Sequence, residues 1–331
     1  MKNKEKQRYD ERDYAVIVGS QRLDANESIF FARELEHIKA KSYDVQYPEL
    51  TATRIIPVSS EAGPGAESIT YYQYDQVGFA KVISNYATDL PRVDLKGNKF
   101  TGDIKSIGAS YGYSIQDIRA AQMAGKPLEQ RKANAVRRAN DQEVNKIAYF
   151  GDDDHGLVGL TSHPNITTYT LPTDGTLNSV TSGTAAAAKF INKTPEYVLR
   201  DLNAMVAKVL ELTLNVEHPN TLLMSHNIHA DLSTRARSDN SDTTILEFFL
   251  KNSPYVKNVE VIPEMATAGT DDTELIMMYD KSPDKLTLEI PQPFEQFPPQ
   301  AEGLEFVIPC HSRCGGVIIY YPLSIIKAEG C

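Results

Sequence analysis

The sequence predicts an α+β fold, and three observations carry that prediction. From Pro127 to Phe150 runs one long helical stretch with no internal Gly or Pro, a proline at its first position and Gly151 just past its end. From Ile107 to Ile115, bulky Ile107, Ala109, Tyr111, Tyr113 and Ile115 alternate strictly with Gly108, Ser110, Gly112 and Ser114, the two-residue period of a strand with one bare face. Beyond Thr194, apolar helical stripes are interleaved with short strand-like runs, the pattern of a mixed lobe.

A chain of 331 residues, 41% hydrophobic and 24% charged, can bury one large core or two medium ones. No stretch approaches the roughly 18 consecutive apolar residues of a membrane span, and the opening MKNKEKQRYDERDYAV lacks the apolar centre of a signal peptide. The expectation is a chain that stays in the cytoplasm where it is made. Cys310, Cys314 and Cys331 are odd in number and bunched at one end, so they read as reduced thiols. The net charge of −10 repels phosphate backbones and disfavours nucleic-acid binding as the main task, yet it suits a protein that surrounds nucleic acid without sticking to it. Residues 260–305 hold eleven acidic side chains against Lys281 and Lys285, whereas the long helix is basic.

Taken in order, residues 1–26 read as a mobile arm of alternating charge. A short helix from Glu27 to about Lys41 follows, where Phe30, Phe31 and Leu35 need a surface, either this chain's own core or a neighbouring subunit. Residues 47–106 read as a projecting hairpin: an extended run to Val58, a Gly63-Pro64-Gly65 loop, strand material from Ser68 to about Ser84, and a turn-rich return with Lys96, Gly97 and Asn98 at the tip. Ser114 and Asp117 can cap a short helix ending at Gly125. In the long helix Leu128, Ala135, Val136, Ala139, Ile147 and Phe150 form a narrow apolar stripe, while Arg131, Arg137 and Arg138 belong to the charged remainder. At about 35 Å such a rod suits a beam across which sheets are laid.

Residues 161–193, rich in Thr, Ser, Gly and Ala, read as a surface excursion. Thr194 and Pro195 open a helix to about Leu214, with Val198, Leu202, Met205, Val206 and Val209 on its apolar face. A strand at 221–225, a helix from about Asn227, helical material at 245–250 and strands at 259–262 and 275–279 complete the mixed lobe. The chain ends in β structure at 286–290, 304–309 and 317–326.

Several patterns invite a chemical reading, and each meets a structural alternative. Gly108-Ala109-Ser110-Tyr111-Gly112 matches G-x-S-x-G, but that motif needs its serine on a sharp strand-to-helix turn, and the alternation places Ser110 on the face of a strand. Asp152, Asp153, Asp154 and His155 offer oxygen ligands for a hard cation, yet consecutive side chains diverge and the run reads as a solvated loop. Cys310, His311 and Cys314 lack a fourth ligand at zinc spacing and read as buried small residues in a turn between strands. His226 and His229 have no metalloprotease frame. No arrangement of acid, base and nucleophile passes the spacing test, so an enzyme is not expected, and neither a cofactor nor a metal is implied.

The segment LEIPQPFEQFPPQAEGLEFVIPCHSRCGGVIIYYPLSI, residues 288–326, resembles the C-terminal signature of tailed-bacteriophage major capsid proteins. FARELEHIKAKSYDVQYPEL, DQVGFAK, DLPRVDLKG and NKIAYFGDDDHGLVGL agree with that family in the same order, so the resemblance spans residues 28–326. It implies the Hong Kong 97-type capsid fold, divided here into an arm (1–46), an extended loop (47–106), a peripheral domain (107–195) with a spine helix (127–150), an axial domain (196–300) and terminal strands returning to the peripheral domain (301–331). It also implies a homo-oligomer of hexamers and pentamers in a virion head around double-stranded DNA, with separate scaffold, portal and decoration proteins and assembly in the host cytoplasm. An encapsulin-like cellular compartment is the alternative use of the same fold. Phe30, Phe31, Leu35, Lys96, Gly97, Asn98, Arg131, Arg137 and Arg138 are the expected assembly residues.

Overall fold

The computed structural model describes residues 48–77, 93–124, 128–238 and 240–331. Phe30, Phe31, Leu35 and the predicted arm helix lie outside the described residues.

The first element is a single helical turn, α1 (Ala52–Ile55), followed by a two-residue strand β1 (Val58–Ser59). Strands β2 (Ser68–Val77) and β3 (Asp94–Asp103) pair antiparallel over ten rungs as a two-stranded ribbon. Strand β4 (Lys105–Ser114) keeps the predicted alternation, with Tyr111 and Tyr113 buried and Gly108 and Ser110 exposed. It leads into α2 (Ile115–Ala124), whose start is boxed as its sequence predicts: the Asp117 amide donates to Ser114 Oγ at 3.0 Å and the Ser114 amide to the Asp117 carboxylate at 3.3 Å. The spine helix α3 (Leu128–Phe150) then runs 23 residues and stops at Gly151, whose φ of +76° ends it in the left-handed region.

The segment expected to be a surface excursion is tied into the fold. Its strand β5 (Thr167–Tyr169) joins a sheet, and Leu171, Ala187, Phe190 and Lys193 are buried. The reason is electrostatic as well as apolar. Lys193 is fully buried with its ammonium 2.5 Å from the equally buried Asp201 carboxylate, and Arg200 bonds both Asp201 and Asp174. A buried cation left unpaired here would be strongly unfavourable, so the pair fixes the segment against the next helix. Arg235 adds hydrogen bonds to the carbonyls of Phe190 and Lys193.

The mixed lobe follows the sequence closely: α4 (Pro195–Leu212), β6 (Thr221–Met224), α5 (His226–Thr234), α6 (Ile245–Asn252), β7 (Asn258–Val261) and β8 (Leu275–Tyr279). Ser225 and Thr244 cap α5 and α6 through their hydroxyls, whereas Thr194 stands before α4 without a side-chain cap bond. The chain ends with β9 (Leu286–Glu289), β10 (Gln292–Gln296), β11 (Gln300–Glu302), β12 (Glu305–Cys314), β13 (Val317–Ile319) and β14 (Ile326–Glu329). Here the expected turn at Cys310–Cys314 is replaced by strand. Ile308, Cys310, Ser312 and Cys314 alternate inward along β12, a period hidden in the sequence because the buried positions are small or polar.

Three sheets organise the body. One has the order β5-β14-β8-β6-β7, a second β1-β9-β13, and in the third β12 pairs β10 and β11 on one side and β4 on the other. Strand β8 is buried at all five positions because both of its faces are covered. Leu275, Met277 and Tyr279 enter a core shared with α1, the second half of α3, β9 and β13. Ile276 and Met278 face the opposite core, packed by α4, α5 and α6. A smaller cluster of Tyr111, Tyr113, Ile308 and Cys310 lies beneath Val136 of the spine.

Candidate assembly interface

The β2–β3 ribbon carries apolar side chains with no core to enter. Ten rungs make it about 33 Å long, and among the described residues it joins no other sheet. A lone two-stranded ribbon is marginal in water unless something packs on it. Its inner face is anchored at the base, where Tyr71 stacks on Phe100 at 5.2 Å, meets Tyr320 edge-on at 5.0 Å and donates its hydroxyl to the Ile319 carbonyl. Further along, Tyr72 and Tyr74 stack on each other at 6.4 Å and remain 58% and 67% exposed, with Leu95 at 62%. Between ribbon and body opens a groove of about 1130 Å³ lined by Tyr71, Tyr72, Tyr74, Tyr320 and Tyr321.

Lys96, Gly97 and Asn98 do not form the tip of this hairpin. They lie within β3, opposite Asp75, Tyr74 and Gln73, because the strand pairing continues straight through them. Gly97 serves the strand by its lack of a side chain: a Cβ there would approach the Tyr74 ring to 3.0 Å.

The spine shows a second correction. Ala135 and Ala139, placed by sequence on the buried stripe, are exposed, and the buried side runs through Asn140, Val144, Asn145, Ile147, Ala148 and Tyr149. Two polar residues hold that side. Asn140 accepts from the Ser312 hydroxyl at 2.6 Å. Asn145 accepts from the amides of Thr51 and Ala52 at 3.1 and 3.0 Å and donates to Glu264 at 2.6 Å, while the Tyr149 hydroxyl meets that of Thr51 at 2.8 Å. An apolar count overlooks these residues because asparagine reads as solvent-facing. Of the basic residues, Arg131 and Arg137 are exposed and Arg138 is half-buried.

The candidate chemical groups are placed as strand, loop and core. Ser110 lies within β4 opposite Pro309, away from any strand-to-helix turn. The Asp152 carboxylate bonds His155 Nδ1 at 2.7 Å, and that bond holds it below the usual carboxylate range. Burial pushes the Cys314 thiol up to about 11 and raises those of Cys310 and Cys331. Among the described residues no group of three or more His, Cys, Asp or Glu side chains is placed to hold a metal ion, and no helix is long and apolar enough to cross a membrane.

The described chain thus presents a ribbon with exposed aromatic side chains, a long helix packed over one sheet and a second sheet covered by helices. A profile of the major capsid protein family matches residues 78–331. The chain belongs to that family. No curated protein sequence matches this capsid protein. Among solved structures, the capsid of Myoviridae phage XM1 aligns with a TM-score of 0.76 at 16% identity, over 92% of this chain and 99% of that one. Mycobacterium phage Ogopogo aligns at 0.57 and 14% identity, over 91% and 99%. The capsid of an empty GTA particle aligns at 0.58 and 11% identity, over 89% and 94%. At such identities the likeness is one of fold, and the capsid protein has the Hong Kong 97-type fold that its C-terminal segment led one to expect.

Proposed function

We propose that this capsid protein is the coat subunit of an icosahedral or prolate phage head, self-assembling as hexamers and pentamers around double-stranded DNA. The observation that carries the reading is the ribbon: about 33 Å of paired strand leaves Tyr72, Tyr74 and Leu95 exposed, an apolar surface that a neighbouring subunit would cover. Phe30, Phe31 and Leu35 of the arm (1–46), Lys96 and Asn98 of the extended loop (47–106) and the spine arginines then serve contacts between subunits. The peripheral domain (107–195), axial domain (196–300) and terminal strands (301–331) supply the body of each tile. A net charge of −10 lets the shell enclose DNA without sequence-specific binding. Separate scaffold, portal and decoration proteins are the expected partners, and the virion is the place of action after assembly in the host cytoplasm.

Expression together with the neighbouring genes, followed by cryo-electron microscopy, tests this. Closed shells with pentameric and hexameric capsomers are expected. Persistent monomers would refute it, and shells filled with a protein cargo in place of DNA would redirect it to a compartment of the encapsulin type.

A further inference from the structure

Two features outside the ribbon complement each other. The first is a hairpin tip. Strands β11 and β12 are joined by Gly303 and Leu304, with Glu302 and Glu305 as direct cross-strand partners and Gly303 at a φ of +65°. Tight turns favour Gly, Asn or Asp, so leucine is not there for the backbone, yet Leu304 stands 76% exposed. Like charges facing each other across a strand pair are destabilising, and among the described residues neither glutamate has a Lys or Arg nitrogen within 4.0 Å. The nearby Lys132 ammonium instead donates to the Gly112 carbonyl at 2.7 Å and lies over the Tyr113 ring.

The second feature is a pocket of about 370 Å³ beside the middle of the spine. Val144, Ile290 and Phe294 line it with apolar surface, and the Asn140–Ser312 hydrogen bond satisfies its polar wall. Arg137 stands at the mouth, exposed and without an ion-pair partner among the described residues. Asp141, one helical turn on, lines the same mouth but makes no ion pair with it within 4.0 Å.

We infer that the Glu302-Gly303-Leu304-Glu305 tip of one copy docks into the spine pocket of a second copy, with Leu304 on the apolar wall and Arg137 between the two glutamates. The guanidinium relieves the repulsion that the tip carries alone, and its planar fork suits two carboxylates. Tip and pocket are different patches of one chain, so the contact is head-to-tail and propagates from copy to copy. The inference rests on the shell reading and assigns one of its contacts.

Charge exchange tests it in the full-length protein. Arg137→Glu and Leu304→Asp are each expected to raise the concentration needed for particle formation about tenfold or more. The triple variant Arg137→Glu, Glu302→Arg, Glu305→Arg should return to within about threefold of the native value, with circular dichroism unchanged throughout. Should a variant fail to fold, Thr53→Cys with Leu304→Cys in an otherwise native chain gives a second readout, since the native cysteines are buried. Oxidation should then link copies into dimers and larger chains, and each single cysteine alone should not. Native-level assembly of both single charge variants, or particles of the cysteine pair that do not cross-link, would overturn the contact. A native chain that never assembles would instead overturn the shell reading beneath it.

Discussion

Asn145 acts at one residue as a cap for a segment distant in sequence. Its carbonyl oxygen takes the amides of Thr51 and Ala52, and its amide group holds Glu264, so three parts of the chain meet on one side chain. Replacing it by alanine leaves two amides and a carboxylate oxygen without that partner, and Asn145→Ala should cost about 2–3 kcal/mol in a denaturant titration. Ala139→Glu should shift the same titration by less than about 0.5 kcal/mol, because Ala139 is exposed in the single chain. A loss of several kcal/mol would place Ala139 back on the buried side. The pair also marks what the sequence could convey at this scale. Inward positions along β4 were readable because bulky residues alternate with Gly and Ser. On the spine the decisive residues were asparagines: the partners of Asn145 lie 94 and 119 residues away and that of Asn140 172, so they leave no local trace.

Among the elements, the ribbon depends on one tyrosine more than on its own pairing. Tyr71 joins Phe100, Tyr320 and the Ile319 carbonyl, whereas Tyr72 and Tyr74 stack on each other and stay largely exposed along the groove. Tyr71→Ala should therefore speed amide hydrogen exchange across 68–77 and 94–103 while leaving β8 protected, and uniform protection in the variant would show that the ribbon holds itself. Helices and strands with a clean period were legible in the sequence: α4, β4 and β8 lie close to where their apolar residues place them. The hairpin tip was misplaced because Lys96-Gly97-Asn98 has turn composition, while its role beside Tyr74 is set by the opposite strand. The 161–193 segment lacked periodicity because a buried ion pair and an edge strand, rather than an apolar stripe, attach it to the body.

The whole molecule should answer to acid through that same attachment. The hydrogen bond from Arg200 holds the Asp174 carboxyl below its ordinary value of 3.8, so the folded state binds this proton less readily than the unfolded chain does. Its contribution is present in full above that value and is lost as the pH falls through the folded pKa. Asp174→Asn should accordingly flatten the acid side of the stability profile without changing its slope near neutrality, and an unchanged acid limb would assign the sensitivity elsewhere. The sheet behind this cluster has a wider effect. In β8 successive residues belong to different cores, Leu275, Met277 and Tyr279 to one and Ile276 and Met278 to the other, so neither lobe can melt and leave its neighbour a finished wall. Heating should give one calorimetric transition whose measured enthalpy matches the van't Hoff value, despite the length of the chain. Two resolved peaks would show that the lobes are thermally separable. A tile built this way does not loosen by halves: it bears heat as a unit up to one temperature and then fails throughout.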